Sequence, residues 1–199
     1  PTDHECFTWA GALEKISLGM KILIREGSAA KNFEALIPLM ATHPDKLMFC
    51  SDDKHPDELD DGHIDVLVRR AIDLGYDVID VLKAASLNAV RHYNLPVGML
   101  QQGDDADFIV VDDLRNPVAR QTYIRGELVA ENGVSNFKYV ETETPNIFER
   151  PFLYSQDLFV PDKGKKIKVI ECFDGQIITK SILADPKVVD GGIVSDVVK

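Results

Sequence analysis

The chain is short of the features that would brace it covalently or place it in a membrane. It has three cysteines in 199 residues, Cys6, Cys50 and Cys172. They are odd in number, far apart and set in apolar or strand-like runs, as suits reduced, buried thiols of a cytoplasmic protein rather than a disulfide frame or a zinc knuckle. No run approaches the ~20 apolar residues of a membrane span, and no basic stretch followed by an apolar one marks a secretory leader. Basic residues are in deficit: 22 Lys and Arg face 33 Asp and Glu, a formal charge of −11. That balance argues against a nucleic-acid backbone or an anionic membrane as partner. An initiating methionine is also missing, which points to a fragment or a processed product. Neither an internal repeat nor a low-complexity segment is present.

What remains is ordinary globular material, 45% apolar and 28% charged, enough for one large domain or two small ones. Its organising stretch is KLMFCSDDKHPDE, residues 46–58. The apolar run Leu47, Met48, Phe49, Cys50 stops abruptly at Ser51, Asp52, Asp53, Lys54 and His55, closed by Pro56. A short apolar run bounded by a turn signal reads as a buried, parallel strand. In parallel sheets the loop after the carboxyl end of a strand carries ligands and chemistry. Two adjacent carboxylates beside a His there can bind a metal, accept a proton, or both. The competing reading is an Asp-rich turn that caps the next helix.

Around it, strands and helices alternate. Thr8 is an N-cap candidate for a helix through Trp9, Leu13, Ile16 and Met20, ended by Gly19. KILIREGS (21–28) reads as a strand stopped by Gly27, with Ser28 able to cap a helix over 29–43. Pro38 predicts a kink or an early stop in that helix. After the 51–62 loop come amphipathic helices at 63–75 and about 77–92. This alternation predicts a parallel α/β unit over residues 1–97. From residue 98 the texture is β: DFIVVDD (107–113), then a hairpin over 118–133 turning at Arg125-Gly126 and closed by Asn132-Gly133. Residues 98–140 therefore read as a small mainly-β domain. Residues 141–199 read as a Pro-rich connector and the start of a further domain, with a hairpin over 166–180 turning at Asp174-Gly175.

Three polar groups fall at predicted strand ends: Asp3-His4-Glu5, Arg25-Glu26-Gly27-Ser28, and Ser51-Asp52-Asp53-Lys54-His55. Imidazole is a common ligand of first-row divalent metals, and carboxylates complete such sites or move protons. Their convergence at the carboxyl ends of parallel strands suggests a metal-assisted hydrolase.

Taken together, DHE, ILIREGSAAKN, CSDDKHPDEL and SLNAVRHYNL followed by GMLQQGDDADFIVVDD resemble adenine deaminases of the amidohydrolase superfamily. SLN and GxxADFIVVDD are general to amidohydrolases; IREGSAAKN and SDDKHPDEL are more specific and point to the adenine deaminase branch. The resemblance implies a fold in which residues 1–97 are the last βα units of a (β/α)8 TIM-type barrel, 98–140 its small β domain and 141–199 the opening of a C-terminal α+β domain. It implies His4 as a metal ligand from the sixth barrel strand. Glu5 becomes the proton shuttle to the purine ring. Asp52 becomes the last-strand aspartate that binds metal and helps deprotonate the attacking water. Arg25, Ser28, Asp53 and His55 become substrate contacts, with Asp53 also in reserve for the Asp52 role. His43, His63 and His92 read as solvated or structural. The implied cofactor is Mn2+ or Fe2+, with Zn2+ also admissible, and the implied substrate is adenine, in a cytoplasmic homo-oligomer serving purine salvage.

Two departures stand beside the resemblance. Asn88-Ala89 replaces the family's Asn-Pro-Ala, and no His-x-His pair occurs to complete the metal site. Alternatives to adenine deamination are therefore another, dihydroorotase-like cyclic amidohydrolase, or a non-catalytic piece that pairs with the missing half of the barrel.

Overall fold

The computed structural model describes residues 1–149 and 151–196. The last residues of the VVK tail (197–199), read from sequence as ending without a cap, lie outside them. The chain forms two compact units, Pro1–Lys138 and Tyr139–Lys199.

The first unit opens with a three-stranded parallel sheet in the order β1 (Thr2–Asp3), β2 (Lys21–Arg25), β3 (Leu47–Cys50). Parallel neighbours require crossover connections, and helices supply both. α1 (Trp9–Ser17) links β1 to β2. The Thr8 hydroxyl caps it by accepting the Gly11 N–H at 3.2 Å, and Gly19 ends it in the left-handed region at φ 84°. Between β2 and β3, α2 (Phe33–Leu36) lasts a single turn and passes into a 3-10 turn at Ile37–Ala41. Pro38 has no N–H to continue the α-helix, so the predicted helix over 29–43 is cut short where the proline reading placed its fault.

Register explains the two faces of this sheet. Ile22 pairs with Leu47 and Ile24 with Phe49. All four are buried in one apolar cluster with Ala12 and Ile16 of α1, Leu36 of α2, and Leu67, Val68 and Ala71 of α4 (Ile64–Asp73). The alternate pairs, Leu23 with Met48 and Arg25 with Cys50, point to the other face. Side chains at the carboxyl end of that second face can therefore meet across strands.

After α3 (Pro56–Asp60) and α4, the predicted helix at 77–92 is two: α5 (Val78–Ala85), capped by Asp77, and α6 (Leu87–Tyr93). They part at Ser86, whose hydroxyl bonds back to the Leu82 carbonyl at 2.7 Å. Asn88, one of the SLN residues, donates to the carbonyls of Pro44 (2.9 Å) and Leu47 (2.8 Å) and so anchors α6 to the start of β3. The unit closes with a four-stranded antiparallel sheet, β4 (Phe108–Val111), β5 (Ala119–Ile124), β6 (Glu127–Glu131) and β7 (Val134–Ser135). Arg125 and Gly126 sit at φ 51° and 81°, as a two-residue hairpin turn of the predicted kind requires.

The second unit holds two short antiparallel pairs, β8 (Ile167–Glu171) with β9 (Lys180–Ala184), and β10 (Lys187–Val189) with β11 (Gly192–Val194). Its first hairpin starts its return strand at Lys180, with Asp174-Gly175 inside the connecting loop. Among the described residues, no helix is long and apolar enough to cross a membrane.

Candidate active site

The chain after β1 departs from the sheet at His4. Asp3 turns it: its Oδ1 accepts the Cys6 N–H at 2.8 Å, and its Oδ2 accepts Lys15 Nζ of α1 at 2.6 Å. Burial alone would raise the Asp3 carboxyl, but the bonds from Lys15 and Cys6 outweigh it and hold it down at about 2. His4 and Glu5 are thereby presented together at the carboxyl edge.

Arg25, the last residue of β2, lies between them and the end of β3. Its residue is 5% exposed. The guanidinium forks onto Glu5, Nη1 to Oε1 at 3.3 Å and Nη2 to Oε2 at 3.0 Å, the bidentate geometry that suits Arg and carboxylate. Nη1 also donates to Asp52 Oδ2 at 3.0 Å. The other Asp52 oxygen stands 3.9 Å from His4 Nε2, and that same nitrogen is 3.2 Å from Glu5 Oε1. His4, Glu5, Arg25 and Asp52 thus form one cluster drawn from three strand ends.

The Asp pair separates cleanly. Asp52 sits at φ 50°, a left-handed conformation that Asp tolerates better than most residues, and this directs its carboxylate to Arg25 and His4. Asp53 leans the other way, with Oδ2 3.4 Å from the Ala29 N–H. A Cβ at Gly27 would fall 1.9 Å from Asp53 Oδ1, so the glycine is needed for that approach. Ser28 does not cap a helix. Its hydroxyl donates to Glu58 at 2.7 Å and accepts the His55 N–H at 2.9 Å, joining the loops after β2 and β3. A cap needs only local geometry, whereas this bond needs α3 in place, which is why sequence favoured the cap. The His55 backbone is held while its residue is exposed at the N-cap position of α3. His43 is bonded to its neighbour Thr42 at 2.8 Å. Neither His63 nor His92 reaches the cluster.

Sequence reading missed Asn32, which is buried at the foot of the cluster, and the pairing of Glu26 with Arg70. Arg70 of α4 donates to Glu26 at 2.8 Å and to Glu34 at 2.6 Å and lies 4.0 Å over the Phe33 ring. Asn32 stood inside IREGSAAKN; Arg70 carried no local signal.

Whether these residues suit a divalent cation is decided by the donor set. His4 Nε2 and one Asp52 oxygen lie 3.9 Å apart, and an imidazole with a carboxylate is a donor pair that divalent cations accept. They fit as two ligands of a site. Among the described residues no cluster of three or more His, Cys, Asp or Glu side chains could hold a metal ion.

A parallel sheet with imidazole, carboxylates and guanidinium gathered at its carboxyl edge defines an α/β unit with a polar cluster where such sheets carry their sites. Residues 11–141 match the Amidohydrolase family model, and the chain belongs to that family. It is 51% identical to the adenine deaminase of Salinibacter ruber over 98% of its length, and 50% identical to that of Sulfurovum sp. over 100%. Against the adenine deaminase of Methanosarcina mazei it is 46% identical over 98%. It spans 36% of the length of the first two relatives, little more than a third. Two solved structures of the beta-aspartyl dipeptidase of Fervidobacterium islandicum share the fold, with TM-scores of 0.52 and 0.54. Each covers 67% of this chain at 22% and 23% identity, and the match spans 39% and 37% of those chains.

Proposed function

We propose that these residues belong to an adenine deaminase, which hydrolyses adenine to hypoxanthine and ammonia. The observation that carries the reading is the meeting of His4, Glu5 and Asp52 around Arg25, in a chain about half identical to adenine deaminases. In the proposed layout residues 1–97 are the last βα units of a (β/α)8 barrel, 98–140 its small β domain, and 141–199 a connector and the start of a C-terminal domain.

The reaction replaces an exocyclic amine by oxygen through attack of water on the ring carbon that bears it. Amidohydrolases are generally metal-dependent, and a divalent cation, here Mn2+ or Fe2+, would acidify the attacking water. His4 and Asp52 would hold it. Asp52 has one oxygen fixed by Arg25 and the other aimed toward His4, so its carboxylate would offer one oxygen to the cation and could accept a proton of the water on the other. Glu5 is half-exposed, and its carboxylate can relay a proton released by the water to a ring nitrogen, making the attacked carbon more electrophilic. The remaining proton of the former water passes through Asp52 to the amine, which leaves as ammonia as the carbon–oxygen double bond forms.

Of the proposed substrate contacts, His55 is exposed, which supports a direct contact with a ligand. Arg25, Ser28 and Asp53 already engage protein groups, so their contribution to substrate would be indirect, through the groups they hold. An acidic chain favours a small neutral base over a polyanion as partner.

The second reading, that this chain by itself is silent, is favoured by the two-donor set, since such sites use three or four protein ligands. The test is ammonia release from adenine by the full-length enzyme loaded with Mn2+ or Fe2+, with dihydroorotate as the competing substrate. Release from adenine and none of dihydroorotate ring opening supports the reading. Turnover of dihydroorotate alone sinks it.

A further inference from the structure

Asn32 stands where a helix N-cap should be, directly before α2. Asparagine is among the preferred caps, yet its side chain makes no capping bond and its backbone is at φ −132°, ψ 8°. The residue is 4% exposed, and its carboxamide is turned back toward the strand ends. Its Oδ1 accepts the Arg25 N–H at 2.8 Å, and its own N–H donates to the Arg25 carbonyl at 3.1 Å, closing a two-point pairing on the backbone of Arg25. Its Nδ2 donates to the carbonyls of Cys6 at 3.0 Å and His4 at 3.3 Å, with the Leu23 carbonyl at 3.5 Å. The orientation is forced, because a reversed amide would put oxygen against three carbonyl oxygens.

We propose that Asn32 is a positioning residue for the cluster, fixing the backbone on which His4, Glu5 and Arg25 stand. The ladder between β1 and β2 ends at Asp3, paired with Ile22. Beyond it, the carbonyls that bracket Glu5 have no strand partner, and Asn32 supplies the donors. Asp3 grips the same loop from the other side through the Cys6 N–H. Asn32 therefore acts as a one-residue continuation of the sheet at the point where the strand must stop to present its side chains. A buried amide with both ends satisfied holds one arrangement, and losing such support behind a reacting group typically costs ~10–100-fold.

The inference rests on the deaminase reading, and its test separates the two. In the full-length enzyme, wild type, Asn32→Asp, Asn32→Ser and, as a control for plain destabilisation, Leu67→Ala are compared. The measurements are metal content per chain, the midpoint of thermal unfolding, and kcat and KM for adenine. Asn32→Asp keeps the acceptor for Arg25 but turns an oxygen on the His4 and Cys6 carbonyls. The expected result is kcat per bound metal lowered about 10–100-fold with KM for adenine within about 3-fold. Leu67→Ala should melt earlier with kcat per bound metal as in wild type. If the Asn32 variants behave as Leu67→Ala does, or neither is recovered folded, Asn32 serves the domain and not the site, and the proposal falls. If wild type releases no ammonia from adenine, the deaminase reading fails instead. Metal content then decides alone: loss in Asn32→Asp with retention in Leu67→Ala supports the positioning role, and equal content overturns it.

Discussion

Arg25 shows what a single side chain does at a strand end. It is buried, yet it carries a full charge, which is tolerable because Glu5 and Asp52 both take hydrogen bonds from it. Replacing it by lysine keeps the charge and loses the fork, so one ammonium cannot meet both carboxylates in these directions. Arg25→Lys is expected to lower kcat for ammonia release by about 10–100-fold, read by steady-state kinetics against wild type; unchanged kcat would remove Arg25 from the account. The members of this cluster were legible as residue types at predicted strand ends. What sequence left open was the choice between Asp52 and Asp53, because it depends on one backbone angle and on room beside Gly27. Asn32 was hidden for a related reason. Its local neighbourhood explains it as a cap, and only the folded arrangement shows the cap unused.

Elements that follow local rules were readable in the sequence: the Thr8 cap, the Pro38 stop and the turn at Arg125-Gly126 each depend on residues within a few positions. Elements defined by distant partners were not. The break at Ser86 has a local bond to Leu82, but the seat of α6 beyond it depends on Asn88, which reaches back to the carbonyls of Pro44 and Leu47 at the start of β3. Asp107 is another long-range tie, accepting N–H groups of Gly98 and Arg125 at 2.8 Å each. These bonds, the Gly98 N–H first, hold its carboxyl below the ordinary 3.8. A depressed carboxylate contributes stability above its unfolded pKa and loses it as pH falls through the lower folded value. Amide exchange at Gly98 and Arg125 should therefore be slow at pH 5 and quicken below about pH 4 relative to the intrinsic rate. In Asp107→Ala those amides should be unprotected at both pH values. Protection independent of pH in wild type would show that the carboxylate is not the acceptor that matters.

At the scale of the whole chain, the thiols report on burial. Burial, then the bond to Asp3, pushes Cys6 up to about 11, and burial, then the Asp52 charge, does the same for Cys50. At pH 8 their thiolate fractions are on the order of a thousandth, whereas Cys172, expected from sequence to be buried, is exposed. Timed alkylation with peptide mapping should label Cys172 first and the other two much later; early labelling of Cys6 would mean the loop after β1 opens freely. The alternation of strands and helices predicted a parallel α/β unit, and the parallel sheet gathers the polar groups of three strand ends on one edge. The most direct test of that assembly is ammonia release from adenine by metal-loaded full-length enzyme carrying Asp52→Asn or Asp53→Asn. The account predicts that Asp52→Asn loses at least about 100-fold in kcat while Asp53→Asn stays within about 10-fold of wild type. Full activity in Asp52→Asn, or a loss confined to Asp53→Asn, would contradict it.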